Sequence, residues 1–220
     1  MDTAPTPDGP HPGTDSDTDR FITWYLDELG RRLRDVNTVP VRRYVDLLAE
    51  TWRADRRVWI IGNGGSATTA AHHAVDLVKT AAVPGQRRLA AQAPANEIGL
   101  VTAVANDIGY AEAFAFVLQS YARHGDVLTA LSCSGRSPST VRACEWARAH
   151  GLTTVALTGC GGGTVAGLAD LHIGVDSDNY GIIEDVHLAI SHSVAQSLRN
   201  RIRRLTTVEV VEVVETVASG

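Results

Sequence analysis

From Arg57 onward the chain alternates short apolar runs with longer stretches of helical spacing. The apolar runs are "VWIIG" (58–62), "LAAQA" (89–93), "DVLTALS" (126–132), "TTVALTG" (153–159) and "LHIGV" (171–175). Helical stretches fall at about 66–80, 96–104, 110–122, 138–150, 163–169 and 182–204. Strands that alternate with helices are joined by right-handed crossovers and form a parallel sheet covered on both faces. The expected fold is therefore α/β: a doubly wound parallel sheet of about five strands flanked by helices.

The rest of the chain is arranged around that unit. Residues 1–19 are rich in Pro, Gly, Asp and Thr with almost nothing to bury, the composition of a disordered tail. Within 20–56, "RFITWYLDELGRRLRDV" and "VPVRRYVDLLAETWRAD" place apolar residues three and four apart, which predicts two helices divided near Pro40. These pack on the main domain, 57–204, or on another subunit. Residues 205–220 read as a C-terminal tail, and "VEVVEVVET" (208–216) fits a strand, a frayed helix or a tail equally.

Composition narrows the function. A chain of 220 residues that is 44% hydrophobic can bury a full core, and its net charge of -5 without a dense basic stripe argues against nucleic-acid binding. The three cysteines, Cys133, Cys144 and Cys160, fit no pairwise metal spacing and suit a reducing, cytoplasmic compartment. No apolar run reaches the roughly 18 residues of a membrane span, and no signal-peptide pattern is visible.

Parallel sheets bind ligands beyond the carboxyl ends of their strands, where glycine turns let the backbone approach and helix N-termini offer N–H groups to anions. Two segments have that form. In "GNGGSA", glycines at Gly62, Gly64 and Gly65 permit a tight turn, Asn63 presents an amide, and Ser66 stands where a helix starts. In "SCSGRSPS" (132–139), Ser132, Ser134 and Ser137 supply hydroxyls around Gly135, and Pro138 suits a first helical turn. Hydroxyls together with unpaired amides make a phosphate cradle without a lysine. Neither segment is a Walker loop or a dinucleotide fingerprint. Each, taken alone, also fits an ordinary structural turn or helix cap.

Acid, base and metal-ligating groups lie on two helices. His72 and Asp76 share a face, with Lys79 and Thr80 about a turn further on, whereas His73 points elsewhere as a structural residue. Such a face can ligate a divalent cation, manage protons or simply form a surface hydrogen bond. In "IIEDVHLAISH", Glu184, Leu188 and His192 share a face, with Asp185 and His187 turned away. Glu184 and His192 stand roughly 12 Å apart along a continuous helix, so one cation reaches both only where the helix start frays or the side chains lean inward.

Taken together, "GNGGSA", the histidine helix, "ANDIGY" (105–110), "SCSGRSPS", "TTVALTG" with its glycine loop, and "IEDVHLAISH" resemble the phosphoheptose isomerases of the sugar isomerase (SIS) domain family over residues 20–204. The resemblance implies a flavodoxin-like SIS fold and a homotetramer with sites near subunit interfaces. It also implies interconversion of sedoheptulose 7-phosphate and D-glycero-D-manno-heptose 7-phosphate. By the same resemblance, Ser132, Cys133, Ser134 and Ser137 hold the phosphate, Asn63, Gly64, Ser66 and Asp107 contact the sugar, and His72, Asp76, Glu184 and His192 hold zinc or another divalent metal. Asp76 and His192 then form the proton-transfer pair. Four positions depart from the family's usual pattern: Cys133 replaces threonine, Asp76 replaces glutamate, Glu184 replaces glutamine, and Thr80 replaces an arginine whose part falls to Lys79, the only lysine in the chain. Two rival readings are a non-catalytic SIS protein, either a replication-initiation factor or a sugar-phosphate sensor, and an isomerase of a different sugar phosphate.

Overall fold

Alternation within the strands builds two cores. Val58 and Ile60 of the first strand point to one side of the sheet, and Trp59 and Ile61 to the other. The computed structural model describes the backbone of residues 15–218 and the side chains of 16–207. In chain order its elements are α1 (Asp15–Arg34), α2 (Thr38–Arg53), β1 (Arg57–Ile61), α3 (Gly65–Val75), β2 (Ala90–Gln92), α4 (Ile98–Asp107), α5 (Ala113–Tyr121), β3 (Val127–Ser132), α6 (Pro138–Ala149), β4 (Thr153–Thr158), α7 (Gly163–Leu168), β5 (Leu171–Gly174) and α8 (Tyr180–Ala218). The strands form one all-parallel sheet in the order β2-β1-β3-β4-β5.

One face carries α2, α3 and α8. Helix α8 contributes Ile182, Val186, Ile190, Val194, Leu198 and Ile202, a stripe at steps of four that lies along the sheet. The opposite face carries α5, α6 and α7, with Phe114, Leu118, Cys144 and Val165 packed on Trp59 and Leu128. Each large side chain so buried contributes about 1.5–3 kcal/mol. Burial of the sheet on both faces is what the continuously apolar strand runs require.

Strand order reverses between β1 and β3, since the chain leaves β1 toward β2 on one side and returns to β3 on the other. A crevice opens beyond the carboxyl ends at such a point. The turns that begin there are 62–65 after β1 and 133–137 after β3, the two glycine and serine segments.

Several boundaries differ from expectation. Helix α1 begins at Asp15, inside the stretch assigned to a disordered tail, and residues 1–14 lie outside the described residues. Pro40 does not divide the N-terminal helices. It sits in the first turn of α2, where a missing N–H costs nothing, and the break falls before Asn37, whose side chain accepts from Val39 N–H. Of the alternatives open for 208–216 the backbone takes the helical one, since α8 continues past 204 to Ala218. The helix expected over 66–80 ends as α3 at Val75 and widens into a π-helical turn, Asp76–Thr80, closed by Ala81 N–H on Asp76 C=O at 2.9 Å.

Among the described residues, no helix is long and apolar enough to cross a membrane. Helix α1 docks on α8 through Tyr25 Oη, which donates to Asp185 at 2.7 Å, and on the segment between β5 and α8 through the ion pair of Arg32 with Asp176 at 3.0 Å. Ile22, Leu26 and Leu33 are exposed along one face of α1, and Trp24 is exposed on another.

Candidate active site

The turn after β3 uses its hydroxyls in a specific way. Ser132 Oγ accepts the N–H of Gly135 at 3.1 Å, and Ser134 Oγ accepts that of Arg136 at 3.2 Å. Each hydroxyl spends a lone pair on its own loop and keeps its proton free to donate. Ser137 stands at the N-cap of α6 without bonding a helix N–H, so its hydroxyl is free as well. Gly135 has φ +61, and a Cβ there would collide with the Gly162 carbonyl, so only glycine lets this loop pack on the glycine loop after β4.

Across the crevice, Asn63 is held at both ends of its amide. Its Nδ2 donates to Ser139 Oγ at 3.0 Å, and its Oδ1 accepts from Tyr110 Oη at 2.6 Å. Asn63, Gly64, Gly65, Ser66, Ser132, Cys133, Ser134, Ser137, Tyr180 and Glu184 line one pocket of about 270 Å³. Asn63, Gly64, Ser66, Ser132, Cys133, Ser134 and Ser137 among them are residues to which the resemblance assigns sugar-phosphate contacts, whereas Gly65, Tyr180 and Glu184 are not. The pocket's hydroxyl and amide donors are neutral, and Glu184 is its one carboxylate. Cys133 is inert within it, its thiol pushed up to about 12 by burial.

Glu184 is the surprise. Its Oε1 accepts from Ser66 Oγ at 3.4 Å and lies 3.8 Å from Cys133 Sγ, and a Cβ on Gly65 would strike its carboxylate. The N-terminus of α3 attracts this anion. The geometry thus places Glu184 in the cradle and not with the expected metal ligands, because α8 is continuous from Tyr180 and keeps residues 184 and 192 on separate turns.

The other three expected ligands do converge. His72 Nε2 and His192 Nε2 lie 3.0 Å apart with rings edge to face, and Asp76 Oδ2 is 3.5 Å from the first and 3.6 Å from the second. Their ligand atoms all lie within 4.8 Å of one another. Asp76 Oδ1 accepts from Thr80 Oγ1 at 2.7 Å, whereas Oδ2 is buried without a hydrogen-bond partner. A buried carboxylate oxygen left without a donor is costly. Two imidazoles and a carboxylate around it suit zinc or a similar divalent ion, so the residues fit such a group.

The two remaining histidines on these helices have no such role. His73 is buried against Tyr44 Oη at 3.1 Å, with its pKa lowered to about 4 by desolvation. His187 is likewise buried and lowered to about 4. Lys79 lies exposed on the π turn and does not line the cradle, and Asp107 is exposed at the end of α4, bonded to Asn106. Tyr110 and Ser139 bond Asn63, and Thr80 bonds Asp76, contacts that the sequence pattern does not indicate. The "ANDIGY" motif already contained Tyr110, but only the folded chain shows its hydroxyl reaching Asn63.

A five-stranded parallel sheet of this order, with a hydroxyl-lined crevice at its switch point, defines a doubly wound α/β domain. The model of the SIS domain matches residues 24–159. The phosphoheptose isomerase of Roseiflexus sp. (strain RS-1) is 33% identical over 187 residues, covering 82% of this chain and 94% of that one. That of Mycobacterium tuberculosis (strain CDC 1551 / Oshkosh) is 40% identical over 155 residues, covering 70% of this chain and 79% of its own. The structure of the Neisseria gonorrhoeae phosphoheptose isomerase superposes with a TM-score of 0.77 at 25% identity, covering 83% of this chain and 99% of that chain. The chain belongs to the SIS domain family, and these relatives place it among that family's isomerases.

Proposed function

We propose that the protein is a sugar-phosphate aldose–ketose isomerase that interconverts sedoheptulose 7-phosphate and D-glycero-D-manno-heptose 7-phosphate. The observation that carries this reading is Asp76 Oδ2, buried without a donor and facing two imidazole nitrogens. The relatives' name, phosphoheptose isomerase, supports a heptose phosphate, and the resemblance of the sequence motifs supports this particular pair.

An aldose–ketose shift moves a proton between C1 and C2 through an enediol and develops negative charge on oxygen. His72, Asp76 and His192 would hold zinc or another divalent cation, and when bound that ion supplies positive charge against the developing oxyanion. Asp76 Oδ2 and His192 Nε2 face one point. A carboxylate that accepts a proton and an imidazole that carries one are the pair such a shift requires, each acting through the oxygen or ring nitrogen that the cation leaves unengaged. The serine loop holds the phosphate and Asn63 the sugar, turning binding energy into orientation at the reacting carbons. The apolar residues exposed on α1 support assembly into a homotetramer, and three free cysteines support a cytoplasmic setting.

The test is incubation of zinc-loaded protein with sedoheptulose 7-phosphate in heavy water. Aldose formation with deuterium at the exchanged carbon is expected. Recovery of unchanged, unlabelled ketose would reject catalysis on this substrate.

A further inference from the structure

An aspartate carboxylate turns easily about its last torsion, whose preference is broad and two-fold. For Asp76 that freedom matters, because its Oδ2 must face His72 and His192 from a short side chain. One group restrains it: Thr80 Oγ1, which donates its single proton to Oδ1 at 2.7 Å. Thr80 ends the π-helical turn that Asp76 begins, and wide turns of this kind are frequent at functional sites. The donor is neutral. A cationic side chain at this position would draw the carboxylate's charge to itself, whereas a hydroxyl fixes the plane and leaves that charge available on Oδ2.

We propose that Thr80 is a positioning residue for the divalent-cation site, holding Asp76 by Oδ1 so that Oδ2 points at the two imidazole nitrogens. The inference rests on the reading of His72, Asp76 and His192 as ligands. Partners of metal ligands commonly change affinity 10- to 100-fold when removed, because they set the ligand's orientation.

The experiment titrates Zn2+ against a chromophoric chelator in the full-length protein, comparing wild type with Thr80→Val, Thr80→Ser and His192→Gln. Thermal melting of each metal-free variant shows whether the fold is retained. Thr80→Val, which keeps the shape and removes the donor, is expected to bind zinc about 10- to 100-fold more weakly at an unchanged melting midpoint. Thr80→Ser, which restores the donor, is expected to bind as wild type does. Should Thr80→Val not fold, Thr80→Ala takes its place, with the same loss expected.

Zinc affinity unmoved in Thr80→Val but lost in His192→Gln would overturn the role of Thr80 and leave the site standing. A Thr80→Ser protein as weak as Thr80→Val would overturn it too. Wild-type binding that is absent, or indifferent to His192→Gln, would remove the site and the positioning role together.

Discussion

Helices α3 and α8 each present two histidines, and each sends one to the crevice and one to the core. His72 and His192 are half-exposed and meet Asp76, whereas His73 and His187 are buried and held neutral by desolvation. His72 and His73 are sequence neighbours, so residue type and local context are nearly the same. The difference is about 100° of rotation around a helix. What separates a chemical histidine from a structural one is the carboxylate it meets and the water it keeps.

The sharpest test of that contrast substitutes one member of each pair. His192→Gln is expected to lower turnover at least about 100-fold, the scale of a lost proton-transfer group, with the fold retained. His187→Leu is expected to leave turnover at neutral pH within about a factor of two, since its buried imidazole does not line the cradle. Equal losses in both would dissolve the distinction.

The second test uses acid. A histidine that ionises near about 4 when folded and near about 6.5 when unfolded binds its proton more readily in the unfolded chain. Its contribution is therefore complete above pH ~6.5 and is lost as pH falls toward ~4, on the order of 3 kcal/mol for His187. Denaturation curves between pH 7 and 4 should fall less steeply for His187→Leu than for wild type. Parallel curves would show that its burial does not set acid stability.

The smallest expected effect concerns α8 itself, where Glu184 and His192 serve different ends of the site. Removing the carboxylate beside the cradle should ease entry of a phosphate dianion. Glu184→Gln is thus expected to lower KM about 3- to 10-fold, the size of a charge interaction of roughly 1 kcal/mol. Its zinc affinity should match wild type. Weakened zinc binding would return Glu184 to the ligand set.

The cradle was legible because it is local. A strand, a glycine turn and a helix start within a few residues dictate a backbone approach and free donors, and both segments could be recognised wherever the chain folded. The strands were legible for a similar reason: apolar runs covered on both sides leave few alternatives to a parallel sheet. Thr80 was not. Its hydroxyl looks like an ordinary helix residue until the turn widens and brings it onto Asp76. The same holds for Tyr110, which reaches across 47 positions to Asn63.

The sequence by itself therefore determined the α/β class, the positions of the two glycine and serine turns and the chemical kinds of group available. Only the tertiary structure decided that His192 crosses 120 positions to meet His72, that Asp76 closes the group, and that Glu184 stands in the cradle. The physical reason is that periodicity tells which face of a helix a side chain occupies, whereas the packing of α3 against α8 on the sheet selects the residues those faces meet.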